Sequence, residues 1–141
     1  MAQIKHIALA TQDADETARF YIEVFGLKEV AKLDSPDAKA YFLSDGAVNL
    51  AILDFRTDRL AGAEYGPTYS GIHHIGFEVE SLEEIARKLQ AANAQPRDDI
   101  NQVFQNPGGE PRKGNVEVKY GGPDGVIIDI SETGWVGTRG D

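Results

Sequence analysis

Ile4-Lys5-His6-Ile7-Ala8-Leu9 reads like Ile72-His73-His74-Ile75-Gly76-Phe77. Both stretches suit half-buried strands, and 74 minus 6 sets the offset between them at 68 residues. The same offset pairs Ala18-Arg19 with Ala86-Arg87, and Asp15-Glu16 with Glu83-Glu84. In a chain of 141 residues this period leaves room for two copies, so the order of elements around each strand has to repeat as well.

It does. After the first strand, Ala14, Ala18, Tyr21 and Phe25 fall at helical spacing and predict a helix over 13–25, with Asp13 as N-cap and Gly26 closing it. After the second, Ser81 and Glu84 make an S-x-x-E start, and Leu82, Ile85, Ala86, Leu89 and Ala92 predict an amphipathic helix over 81–93. Strand patterns follow each helix: 27–33, 39–44 and 47–54 in the first copy, then 100–105, 115–120 and 126–131 in the second. Asp45-Gly46 and Pro123-Asp124-Gly125 supply the turns before the last strand of each. Strand, helix and three strands, twice over, predict an α+β fold of two βαβββ modules in one domain. Module one covers 1–54, a Gly/Pro-containing linker 55–70, module two 71–132 and a short tail 133–141. The segment 106–114 holds Pro107, Gly108, Gly109, Pro111 and Gly114 and is expected to form a loop at the mouth of a site, where Arg112 and Lys113 would hold an anionic substrate.

Composition narrows the chemistry. The net charge of −9 disfavours nucleic acid and anionic membrane as partners. With no cysteine, the chain has no disulfide, thiolate nucleophile or cysteine-ligated metal site, which fits a cytoplasmic protein. No stretch reads as a signal core or a membrane span. Three histidines remain, His6, His73 and His74. Adjacent strand residues point to opposite faces, so His73 and His74 are not expected to share a site. The repeat selects His74, which aligns with His6, while His73 aligns with Lys5 and is expected to aim away, either at the surface or as a support behind the ligands. Asp129 lies within the apolar run Val126-Ile127-Ile128-Asp129-Ile130 and needs a partner there. His6, His74 and Asp129 together make a 2-His-1-carboxylate set, suited to one divalent Fe, Mn, Ni, Co or Zn ion with open positions for substrate oxygens.

These motifs resemble the vicinal oxygen chelate superfamily, which includes glyoxalase I, methylmalonyl-CoA epimerase, extradiol dioxygenases and bleomycin-resistance proteins. The resemblance is carried by Lys5-His6-Ile7-Ala8-Leu9, Arg19-Phe20-Tyr21 with Phe25-Gly26-Leu27, Gly71-Ile72-His73-His74-Ile75 and Pro123-Asp124-Gly125-Val126-Ile127-Ile128-Asp129, and extends from about 4 to 132. It implies curved sheets around a divalent metal, ligated from the first and last strands of the modules: His6 and His74, then Asp129 where most relatives have Glu. Glyoxalase-like relatives carry a Glu on the last strand of module one. Here the nearest polar residue is Asn49, a neutral or water-mediated contact, with Leu50 as the alternative if the register differs by one.

The resemblance implies a small-molecule substrate chelated through adjacent oxygens, and several reactions fit. The first reading is a glyoxalase I-like lyase or isomerase working by proton transfer. A second is an Fe(II) ring-cleaving dioxygenase, against which Tyr120 stands one place late and only His73 is spare. A third is a non-catalytic binding or resistance protein. Glu117 and Tyr120 are candidate catalytic residues on one strand, and alternation allows only one of them to face the metal. Sheet edges, apolar faces and the habit of relatives together predict a homodimer.

Overall fold

From Lys5 onward the first strand alternates between deeper and shallower burial, with His6, Ala8 and Ala10 on the buried side. That alternation fixes one face of the sheet as the site face. The computed structural model describes residues 1–104 and 117–140. Its elements are β1 (Gln3–Ala10), α1 (Ala14–Phe25), β2 (Lys28–Asp34), β3 (Ala38–Ser44), β4 (Asn49–Phe55), β5 (Gly71–Glu78), α2 (Leu82–Ala91), β6 (Gln95–Pro96), α3 (Asp98–Phe104), β7 (Val118–Gly121) and β8 (Ile127–Ser131). The eight strands form one mixed sheet in the order β2-β3-β4-β1-β5-β8-β7-β6. In each module the first and last strands run parallel, β1 with β4 and β5 with β8. The modules join through the antiparallel β1–β5 pair. The α+β architecture of two βαβββ modules is therefore present.

The helices start where their caps place them. Asp13 accepts from the Glu16 amide at 3.0 Å and Ser81 from the Glu84 amide at 3.0 Å. Gly26 ends α1 with φ of 73°, a left-handed conformation that a side chain would disfavour. Ala14 and Ala18 bury α1 against Leu43 and Ile52 on the face opposite His6. The second helix sits more loosely. It has no fully buried residue, and an apolar groove lined by Phe77, Val79, Ile85, Leu89, Ile128 and Ile130 separates it from the sheet.

The expected strand over 100–105 is a correction: the chain forms α3 there, and β6 is only two residues long. Two acidic residues, Asp98 and Asp99, favour a helix N-terminus at this point. Beyond Arg97, whose backbone amide donates to the Lys119 carbonyl at 2.8 Å, the pairing that a longer strand would give β7 comes from a side chain. The Asn101 amide donates to the Lys119 carbonyl at 3.0 Å and accepts from the Lys119 amide at 2.9 Å. Arg112, Lys113 and the whole 106–114 segment lie outside the described residues.

Two irregularities in the central β1–β5 pair matter for the site. Between Ile4↔Phe77 and His6↔Gly76, β1 spends one extra residue, Lys5. Between Ala8↔His74 and Leu9↔Ile72, β5 spends one extra residue, His73. The two bulges are 68 residues apart, the repeat offset itself, so each module carries the same bulge immediately before its histidine.

Candidate metal centre

The pairing registers bring the expected ligands together. His6 lies opposite Asn49 on β4 and Gly76 on β5, Asp129 lies opposite Gly76, and His74 is two residues from Gly76 on the same face. His6 Nε2 is 2.9 Å from His74 Nε2, and His74 Nε2 is 3.5 Å from Asp129 Oδ2. All three side chains are buried, and one donor atom from each falls within 4.8 Å of the others.

The register also locates the missing fourth ligand. Asp129 stands opposite the residue two beyond His74, and the position two beyond His6 is Ala8, whose partner on β4 is Ala51. Ala51 thus occupies the place equivalent to Asp129, beyond both Asn49 and Leu50. Asn49 faces the site but serves His6: its Oδ1 accepts from His6 Nδ1–H at 2.8 Å, while its Nδ2 donates to the Val136 carbonyl at 2.9 Å. That second bond fixes which way the amide points.

His73 is another correction. It is buried, not aimed into solvent, because the bulge turns its ring toward its neighbour. His73 Nδ1 is 2.8 Å from His74 Nδ1, and His73 Nε2–H donates to the Ala61 carbonyl at 2.8 Å. The result is a continuous chain: Ala61 carbonyl, His73, His74, His6, Asn49 Oδ1. It contains four contacts between two terminal acceptors. Burial is the largest influence on all three histidines, lowering His6 and His73 to about 4 and His74 well below its usual range, so all are neutral near pH 7. Three neutral imidazoles carry three N–H protons for four contacts, so one contact is two facing lone pairs. At either end that would set a lone pair against a carbonyl oxygen. That leaves the His73–His74 and His6–His74 contacts, and at the second of these the facing lone pairs lie beside Asp129, whose buried Oδ1 has no hydrogen-bond partner among the described residues. Two nitrogens each about 2.1 Å from one ion lie about 3 Å apart when they subtend a right angle. The donor set therefore fits a divalent cation.

Around these atoms sits a charged group that the sequence did not reveal. Lys119, opposite Asp129 on β7, places its buried Nζ 3.0 Å from Asp129 Oδ2 and 3.4 Å from Glu117 Oε2. Burial disfavours its charge most, but the two carboxylates outweigh this and raise its pKa above the ordinary lysine value. Burial likewise pushes Glu117 up, yet Lys119 and the neighbouring hydrogen bonds hold it at about 2, so it is ionised. Asp129 moves the other way: burial, with Glu117 adding, raises its carboxyl well above the usual range against the pull of Lys119. Tyr120 pairs with Ile128 on the opposite face, so of the two β7 candidates only Glu117 faces the site.

The tail supplies the cover. Trp135 stacks on His6 with ring centroids 4.8 Å apart and planes within 1°, and its Nε1–H donates to Glu117 Oε1 at 2.8 Å. Gly76 makes room for it, since a Cβ there would come within 2.7 Å of His6 Cβ and 2.8 Å of the indole. Further bonds lay the tail across module one: Ser44 Oγ to the Gly137 carbonyl at 2.5 Å and Gly140 N to the Gly46 carbonyl at 2.9 Å. The chain's single tryptophan between glycines was the available sequence signal for this role.

Comparison with known proteins bears on the family and the fold. The family profile described as the Glyoxalase/Bleomycin resistance protein/Dioxygenase superfamily matches residues 3–130. No curated protein sequence matches. Among solved structures, a hypothetical protein from Bacillus halodurans is similar at 23% identity, covering 92% of this chain and 93% of its own, with a TM-score of 0.69. A variant of the Streptomyces coelicolor methylmalonyl-CoA epimerase, in complex with 2-nitronate-propionyl-CoA, is similar at 20% identity, covering 92% and 95%, with a TM-score of 0.67. The methylmalonyl-CoA epimerase of Mycobacterium tuberculosis is similar at 15% identity, covering 91% and 85%, with a TM-score of 0.64. At these identities the likeness establishes the fold.

Proposed function

We propose that this chain, which belongs to the glyoxalase/bleomycin resistance protein/dioxygenase superfamily, is a divalent-metal-dependent enzyme that moves a proton at a carbon next to a substrate carbonyl, in the manner of the glyoxalase I-like lyases and isomerases. The observation that carries the reading is the convergence of His6 Nε2 and His74 Nε2, 2.9 Å apart, beside Asp129 Oδ1, which has no hydrogen-bond partner among the described residues. These three residues would hold the cation. A bound cation supplies Lewis acidity toward two adjacent substrate oxygens and stabilises the negative charge that develops on them.

The chain's own residues do the rest. Lys119 engages Asp129 Oδ2 and leaves Oδ1 uncommitted. Glu117, on the site face between Lys119 and Trp135, is the candidate to take a proton. The Trp135 indole now donates to Glu117 and covers His6, so a substrate reaching that carboxylate displaces it. Acyl thioesters such as methylmalonyl-CoA, the ligand of one solved structure similar to this chain, and glyoxalase-type hemithioacetals are the first substrates to try.

The test is an anaerobic incubation in deuterated buffer with Co(II), Ni(II) or Zn(II) and each substrate. Metal-dependent deuterium incorporation or turnover supports the reading, and its absence for every substrate and metal rejects it. One observation favours a second reading. With Ala51 at the fourth position, three groups among the described residues could ligate, the number a ring-cleaving Fe(II) dioxygenase requires. Oxygen consumption with catechols, dependent on Fe(II) and absent with the other metals, would select that alternative.

A further inference from the structure

In a regular strand His73 would point away from His74. Here β5 spends an extra residue at this point, and the bulge brings the two rings to the same side. His73 has little freedom once there. Its Nε2–H is held by the Ala61 carbonyl at 2.8 Å, and its ring packs against Phe55 and Tyr65 with centroids 4.8 Å and 5.8 Å away. A neutral imidazole with its proton on Nε2 has only a lone pair on Nδ1. That lone pair lies 2.8 Å from His74 Nδ1.

We propose that His73 is a positioning residue: by accepting from His74 Nδ1–H, it keeps the Nε2 lone pair of His74 turned toward His6 and Asp129. The inference rests on the metal reading for its purpose, though the tautomer itself does not depend on a metal. Asn49 does the same for His6, accepting from Nδ1–H with its amide anchored by the Val136 carbonyl. Each histidine of the candidate pair thus has a separate orienting acceptor, one a side-chain amide and one a second imidazole. The anchors lie outside the regular strands, in the 55–70 connection and in the tail. A histidine ligand is commonly oriented by a carboxylate, a carbonyl or water. Here an imidazole takes that place, and it requires the carbonyl of Ala61 behind it to hold its own proton on the far nitrogen.

The direct test is long-range 1H–15N NMR of the imidazole nitrogens in metal-free and Zn(II)-loaded protein. The expected pattern in both is a proton on His74 Nδ1 and on His73 Nε2. A proton on His74 Nε2 with a bare Nδ1 in the metal-free protein overturns the proposal, and no variant is needed to see it. Two variants extend the test. In His73→Asn the amide oxygen lies near the position of Nδ1, so the His74 tautomer is retained and Co(II) affinity stays within a few-fold of the parent. In His73→Leu no acceptor remains, the tautomer preference is lost, and Co(II) affinity falls about 10–100-fold. Parental affinity and tautomer in a folded His73→Leu protein overturn the proposal. If the parent protein binds no Co(II), the proposed function fails, while the metal-free NMR spectrum still decides the role of His73.

Discussion

His6, His73 and His74 are held neutral by burial, and that has a stability consequence with a definite sign. Unfolded, each takes up a proton near its ordinary value of 6.5; folded, His6 and His73 do so only near 4, and His74 well below its ordinary value. Between those values the unfolded chain binds more protons, so stability falls as pH drops through 6.5 and the loss for His6 and His73 levels off below about 4. From pH 7.5 to 5 the expected loss is about 2 kcal/mol for each of these two histidines. The raised carboxyl of Asp129 opposes them, because it retains its proton in the folded state. Urea midpoints of metal-stripped protein at pH 7.5, 6 and 5 should therefore decline in order; a flat or rising series contradicts the buried neutral chain. Gly76 gives a second residue-scale prediction. Alanine in a strand ordinarily stabilises relative to glycine, but here its Cβ would meet His6 at 2.7 Å and the Trp135 indole at 2.8 Å. Gly76→Ala should lower stability by about 1–3 kcal/mol in urea unfolding, and a neutral or stabilising result would show that the tail does not pack there.

Much of the element order is written into the chain. The two histidine strands repeat, Asp13 and Ser81 cap their helices, and alternation along β1 separates His6 from Ile7. What escapes a reading by period is anything set by a contact distant in sequence. The stretch 100–105 is a different case, because Ile100, Val103 and Phe104 already stand at the helical spacing that α3 uses, and Asn101 pairs with Lys119 from within it. Strand alternation aims His73 outward, and one extra residue in β5 reverses it. Lys119 is visible as a lysine among strand residues, but only the β7–β8 register brings it onto Asp129. The tail shows the same limit, since nothing before Trp135 signals that it will lie on His6. That contact makes the only tryptophan a reporter of the site. Co(II) or Ni(II) bound between His6 and His74 should quench most of its emission, with Zn(II) much less effective. Metal bound at one equivalent with no quenching would mean that the indole and the metal are apart.

At the scale of the whole molecule, the shared bulge and the parallel pairs β1–β4 and β5–β8 make the two modules pseudo-equivalent, with a histidine from each meeting at their junction. At the site the equivalence is broken where Ala51 stands at the register position of Asp129 and Asn49 at that of Ile127. Assembly follows from the surface. The edge strand β2 carries Lys28, Glu29 and Lys32, which discourages edge-to-edge pairing, whereas Phe20, Val24 and Phe25 leave an exposed apolar face on α1. We expect a homodimer that covers this face; sedimentation showing a monomer at micromolar concentration would contradict it. The central claim is that the junction between the modules holds one divalent cation. It is tested most directly by titrating metal-free protein with Co(II), beside His6→Ala, His74→Ala and Asp129→Ala variants shown to be folded. The account predicts one ion per chain in the parent, with affinity lost in each variant; no binding in the parent, or undiminished binding in all three variants, would contradict it.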